Sequence, residues 1–242
     1  MEIIFASIST SLLSWFNKLH ETFIETNYYK LMIDGFKNTI IITLGALCIG
    51  VVIGTVIAVI KYFAEDKKSL KPLAKLCDIY LTVIRGIPVV VLLLIFFYLI
   101  LKSSDGVVVG ILTFGVNSGA YMAELIRSGI NAVDFGQMEA GRSLGLSKMK
   151  TMRKIILPQA VRYILPAICN ELIALLKETS VAGYVAVIDL TRAGNLVRNN
   201  TYDAVNPLIA VALTYLVMVI ILTKLLNMLE RRLSKSDKRN RS

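Results

Sequence analysis

Five polar side chains interrupt stretches that are otherwise apolar: Asn117, Tyr121 and Glu124 in one, Asn170 and Glu171 in another. Asn117, Tyr121 and Glu124 recur at i, i+4, i+7, and Glu171, Ala174 and Glu178 at i, i+3, i+7, so each set lines one face of a helix. The chemistry such groups can do is binding. A carboxylate in an apolar layer is costly unless it meets a cavity or a counter-charge, and an ammonium ion is a suitable counter-charge. Asn170 and Glu171 could equally bond a neighbouring helix, for example at Thr43. The two readings stand side by side at this point. Adjacent Lys177 and Glu178 point to different sides of a helix and read as support for the fold or a gate.

Covalent catalysis has little material. His20 is the single histidine, so a His-based zinc site or a Ser-His-Asp triad has nothing to build on. HExxH and the GxxxxGK[ST] phosphate loop are absent from the sequence. Cys48, Cys77 and Cys169 are odd in number and far apart, and the two in apolar segments, Cys48 and Cys169, suit small buried thiols. No metal or other cofactor is expected on this chain.

The elements that must carry these side chains are membrane helices. The chain is 55% hydrophobic with 18% charged residues, and its mean hydropathy is +0.66, which places it among membrane proteins. Spans of about 20 apolar residues are expected at 39–59, 87–101 with a backward extension through YLTVIRG, 106–126, 161–176 and 204–229. An apolar piece follows the fourth span at 181–188, and Pro166, Asn170 and Glu171 interrupt that span. Gly45, Gly50 and Gly54 offer a close-contact face on the first. By a rise of about 1.5 Å per residue, Asn117 lies about 16 Å from Gly106 and Glu171 about 15 Å from Val161. Both fall near the middle of a hydrocarbon core about 30 Å thick.

Charge orients the spans. Of 27 Lys/Arg, 20 fall in 60–86, 127–162 and 224–242. Their concentration on alternate connections predicts five passes, with the N-terminus outside and those three segments in the cytoplasm. The net charge of +10 therefore follows topology and anionic lipid, and without interleaved aromatics it does not suggest nucleic acid. Residues 1–33 read as an N-terminal segment with an interfacial helix anchored by Trp15 and Phe16, preferred over a signal peptide because Glu2 replaces a basic start. Residues 34–230 form the transmembrane domain, and 231–242 a basic, disordered tail.

The connection 134–158 is unusual for a loop. Asp134 and Gln137 have capping-box spacing, Ala140 and Gly141 leave a bare helix face, and Gly145 suits a helix C-terminus. Ser147 can cap a second helix whose Met149, Met152 and Ile156 share a side, before Leu157-Pro158 begins the next helix. Glu139, Ala140, Gly141, Gly145, Ile155, Leu157 and Pro158 resemble the EAA motif of binding-protein-dependent ABC importer permeases. Gly141 departs from the usual alanine at a cost of about 1 kcal/mol in helix propensity. Asp134 stands where proline is frequent.

The resemblance runs from about residue 33 to 229. Asn38-Thr39, Arg85-Gly86-Ile87-Pro88, Ala120-Tyr121 with Glu124, Gly136-Gln137, the run 175–180 and Asp189-Leu190-Thr191 are similar to the polar amino acid permease subfamily. It implies an all-α, type I importer permease fold with cytoplasmic coupling helices, in a bacterial cytoplasmic membrane. The implied partners are a second permease subunit, identical or not, two cytoplasmic ABC ATPases holding ATP and Mg, and an extracytoplasmic amino-acid-binding protein. Asn117, Tyr121, Glu124, Asn170 and Glu171 are the expected substrate-pathway residues, and a mid-membrane acid slightly favours a cationic substrate. Another small polar solute is an alternative. An ion-driven secondary transporter is a further one, opposed by the lack of an inverted repeat and of charge inside the first two spans.

Overall fold

Between Lys37 and Lys61 no charged residue occurs, and the backbone answers with one long helix, α1 (Tyr28–Ala64). It extends beyond the expected span at both ends, because the flanking polar turns satisfy their amides within the helix and need no apolar side chain. The structure is a computed structural model and describes residues 17, 20–102 and 104–239. The expected helix around Trp15 and Phe16 lies outside the described residues. After α1 come α2 (Lys71–Gly86), α3 (Val89–Ile95, continued by a π-helical turn Phe96–Ile100) and α4 (Gly106–Asn131). The loop contributes α5 (Gly136–Ser143) and α6 (Lys148–Thr151, with a π-helical turn Met152–Ile156). Then follow α7 (Leu157–Glu178), a 3-10 turn Thr179–Val185, α8 (Leu190–Thr201) and α9 (Asn206–Arg239). The described residues contain no strand.

Small residues set the central pair. A Cβ on Gly45, Gly50 or Gly54 of α1 would press on Ile111, Ser118 or Met122 of α4, while Gly115 and Gly119 receive Ile49 and Ile53 in return. Because the numbers rise together along both helices, α1 and α4 are parallel. Helix α7 is antiparallel to α4: Ile164 lies on Gly129 near one end, and Glu178 reaches Asn117 near the other. Helix α9 begins where α8 ends, with Val211 on Gly194, and runs with α1. The lysine- and arginine-rich ends of α1, α4 and α9 thus share one side of the bundle, the basic end.

The second crossing is bent. Helix α2 rises from the basic end, where Lys61 pairs with Asp78 at 2.6 Å. The chain then turns by 107° at Ile87–Pro88 into α3. The expected backward extension of this span is therefore present but not collinear, since the residue before proline is excluded from helix and Ile87 is extended (ψ 131°). Among the described residues four helices are long and apolar enough to cross a membrane, and this bent pair, counted as one span, brings the number to the expected five. One apolar cluster at the far end joins Ile42, Leu93, Val109, Phe114, Leu175 and Val185. Another, at the basic end, joins Ala58, Ile126, Val133, Ile156, Ala160 and Ile164.

Two expectations fail here. The segment after residue 231 continues α9 to Arg239, because no glycine or proline breaks the helix. Cys48, expected buried in its apolar segment, is exposed on the outer side of α1, since its position turns away from the α4 contact, while Cys169 is partly buried.

Candidate functional site

The loop between α4 and α7 is built as a two-helix corner. Asp134 Oδ1 accepts from the Gly136 amide at 2.7 Å, so the carboxylate tightens the turn before α5. The capping box with Gln137 does not form; Gln137 Oε1 instead accepts from Gln159 Nε2 at 3.3 Å, across the corner. Helix α5 ends as the sequence predicts. Gly145 has φ +79°, the Leu146 amide donates to Gly141 O at 3.1 Å, and the Gly145 amide donates to Arg142 O at 3.0 Å. This paired closure needs a left-handed residue, and glycine enters that region without strain. Ser147 caps α6 by accepting from the Lys150 amide at 3.3 Å. Pro158, which has no amide hydrogen, sits in the first turn of α7.

The motif residues then divide into two groups. Gly141 is buried in the corner, where an added Cβ would meet both the methyl and the hydroxyl of Thr151 and the Ile155 Cδ1. The departure from alanine is thus matched to Thr151, and Ile155 packs on the same spot. Glu139, Ala140, Leu157 and Pro158 are exposed. Phe135 and Leu144 expose 75% and 81% of their surface. Met149 is also exposed rather than packed on the apolar side expected with Met152 and Ile156, whereas Ile156 enters the basic-end core. Lys148 Nζ ties the corner to the end of α1, 2.6 Å from Asp66 Oδ2 and 5.0 Å from the Tyr62 ring centre.

The five intramembrane candidates are not one site. Glu171 Oε1 accepts from Ser118 Oγ at 3.2 Å, so polar groups of α4 and α7 meet at this level of the bundle. The expected alternative partner Thr43 instead donates to Thr39 O at 2.7 Å, because its side chain turns back along α1. Asn117, buried, donates to Glu178 Oε2 at 3.4 Å. These bonds form a polar seam between α4 and α7. Asn170 is exposed and takes no part, since it lies about 100° around α7 from Glu171.

Tyr121 and Glu124 belong to a separate cavity of about 440 Å³ whose polar lining includes Lys61, Asp78, Thr82 and Arg85. The Arg85 guanidinium lies 5.5 Å from the Tyr121 ring centre, and Glu124 pairs with Arg127 at 2.8 Å. Arg85, Ser118 and Glu178 were not among the expected site residues. An arginine just before a helix-breaking proline, and carboxylates seven residues apart on α7, were the signals available.

A third polar knot closes the far end. Asp189 is fully buried and caps α8, accepting from the Thr191 and Arg192 amides at 2.8 and 3.3 Å. Burial pushes its carboxyl above the usual range, against the pull of those amide bonds. Thr39 Oγ1 accepts from the Leu190 amide at 3.1 Å, and Asn38 Nδ2 donates to Ile188 O at 2.9 Å. The Asn38-Thr39 and Asp189-Leu190-Thr191 stretches, about 150 residues apart, thus form one structure. Thr191 adds a 3.4 Å bond to Tyr215 of α9.

Four spanning-length helices, a bent pair that can make a fifth crossing and an exposed two-helix corner between α4 and α7 fit the permease class of membrane transport subunits. The chain belongs to the family described as binding-protein-dependent transport system inner membrane component, whose model matches residues 50–235. It is 36% identical over 197 residues to a putative glutamine transport system permease protein GlnP of Rickettsia bellii, covering 80% of this chain and 90% of that one. It is 35% identical over 210 residues to the arginine transport system permease protein ArtQ of Bacillus subtilis, covering 85% and 94%. Among solved structures it is similar to a crystal structure of an amino acid ABC transporter with histidines, at TM-score 0.79 and 39% identity over 86% of this chain and 96% of that one. The inward-facing MetNI methionine ABC transporter shares the fold at TM-score 0.71 and 22% identity, covering 84% and 96%.

Proposed function

We propose that this chain is the permease subunit of an importer for polar amino acids, basic ones among them, driven by ABC ATPases that grip the corner 134–158. The observation that carries this reading is the corner itself: Gly141 and Thr151 lock its two helices together, while Glu139, Ala140, Phe135 and Leu144 remain exposed beside them. A stiff corner with an exposed apolar surface is what a motor subunit can grip and push. Displacement then passes through Ile156 into the basic-end core and along α7. The excess of Lys/Arg supports a cytoplasmic position for the basic end, in a bacterial inner membrane on this reading, with a permease domain of about 34–230 whose first helix begins at Tyr28.

On this reading ATP and Mg sit on two partner ATPases, a second permease subunit completes the membrane unit, and a binding protein delivers solute to the far end. Glutamine and arginine, in the names of the relatives, support a polar amino acid. Tyr121 and Glu124, beside Arg85 in the cavity, are the pathway candidates that fit an amino acid's two charges; Glu171 and Asn117 are second candidates through the seam, and Asn170 is the weakest. The test is co-expression with ABC ATPase subunits from the same cell, followed by uptake into vesicles with the binding protein present. A stable complex with ATP-dependent amino acid uptake is expected. Uptake driven by an ion gradient without ATPase would replace the proposal with a secondary transporter.

A further inference from the structure

A second cavity, of about 370 Å³, opens at the basic end between α1, α2 and α4. Its walls include Lys61, Lys71, Lys75 and Arg127, with Glu65 and Asp78 as the acids. Two of the four cations are already paired, Lys61 with Asp78 at 2.6 Å and Arg127 with Glu124 at 2.8 Å. Lys71 and Lys75 are exposed and form no ion pair among the described residues. Even with Glu65 counted, the lining keeps an excess positive charge.

The position of this charge selects its partner. Lys61 lies three residues before the end of α1 and Arg127 four before the end of α4, so the cavity sits where the apolar spans meet the polar boundary. Helix α2 is divided around its circumference. Cys77 and Leu81 are buried against the bundle, Lys71 and Lys75 face the cavity, and Leu73, Leu76, Ile79 and Val83 are exposed beyond them. Lys75 and Ile79, one turn apart, join the cationic side to the apolar stripe. A ligand that satisfies both carries a negative headgroup and an acyl chain.

We propose that this cavity is a binding site for an anionic phospholipid, with the phosphate on Lys71 and Lys75 and the acyl chains along Leu76, Ile79 and Val83. Such a lipid would wedge α2 against α1 and α4 beside the bent crossing, and so bias the angle of that helix. The proposal rests on the importer reading only for assigning the lipid to the cytoplasmic leaflet.

The test uses the permease–ATPase complex in neutral detergent, titrated separately with phosphatidylglycerol, phosphatidylcholine and soluble glycerol phosphate. Lipid adducts are counted by native mass spectrometry. Two lysines near a membrane surface favour an anionic headgroup by about thirtyfold. Wild type is expected to retain phosphatidylglycerol over phosphatidylcholine by about that factor, Lys71→Gln/Lys75→Gln to lose the preference, and Lys71→Arg/Lys75→Arg to keep it. Equal saturation by glycerol phosphate would overturn the lipid reading in favour of a soluble anion site. Unchanged adducts in the glutamine variant overturn it outright. Loss of the ATPase from that variant with adducts unchanged would reassign the lysines to the motor. Absence of any ATPase from wild type would instead count against the importer proposal, while the adduct count remained readable.

Discussion

Gly141 lies against Thr151 so closely that an added Cβ would meet the threonine hydroxyl at 2.9 Å and its methyl closer still. The contact fixes the angle between the two helices of the corner, because neither helix can roll without opening the gap or driving backbone into side chain. Gly141→Ala gains about 1 kcal/mol of helix propensity and incurs about 1–3 kcal/mol of overpacking. The single variant is therefore expected to lower the thermal midpoint of the purified protein. In a Thr151→Ala background the same change should be neutral or stabilising. A double-mutant cycle on thermal midpoints reads the coupling directly. Equal effects in both backgrounds would show that the corner relaxes around the methyl group.

Glu171 and Ser118 supply the next test. Glu171→Gln keeps an oxygen to accept the Ser118 bond, so the protein is expected to assemble with stability near wild type. Glu171→Leu leaves the Ser118 hydroxyl without that partner and should cost about 1–3 kcal/mol. If the charge serves solute passage, the glutamine variant raises KM for uptake while ATP hydrolysis persists. Unchanged uptake affinity in that variant would reduce Glu171 to an interhelical bond.

At the far end, Asp189→Ala removes a buried cap and is expected to cost about 1–2 kcal/mol. Asp189→Asn can still cap α8 and should cost far less. The pH dependence has a definite sign. With its carboxyl held above the usual range in the folded protein, stability from this group is full below the ordinary carboxylate range and falls as pH rises through the raised value. The asparagine variant should lose that slope. Thermal midpoints measured from acid to neutral pH compare the two proteins.

Lys148 and Asp66 join the corner to the end of α1 at partly exposed positions. Lys148→Met or Asp66→Asn should therefore change stability by less than about 1 kcal/mol. Their effect is expected in the ratio of solute moved to ATP hydrolysed, because the pair, with the Tyr62 ring, is a direct path from the corner to α1. Exchanging the two charges should restore the ratio; a ratio unaffected by all three variants would leave the pair as a surface contact.

Much of this architecture was legible along the chain. Apolar runs located the spans, alternate basic segments gave the odd number of passes, and Gly145, Ser147 and Pro158 marked the corner, because helix ends and left-handed turns are local events. The glycine face of α1 was equally readable, since close packing in a membrane needs small residues at helical spacing. Helix α9 shows the limit of the same reasoning: charge suggested disorder after residue 231, yet nothing in the backbone chemistry there ends a helix.

What tertiary structure decided is partnership. Helical rise put Asn117 and Glu171 at one depth, but depth leaves rotation free, and rotation chose Ser118 and Glu178 as their partners and turned Asn170 away. Likewise the proline at position 88 announced a break, while only packing set the 107° bend that brings Arg85 beside Tyr121. The sequence determined each helix, its ends and its sidedness through interactions within a few residues or with the bilayer. Which faces meet depended on side-chain shape matched over long separations, as Gly141 is to Thr151, and that is a property of the assembled bundle.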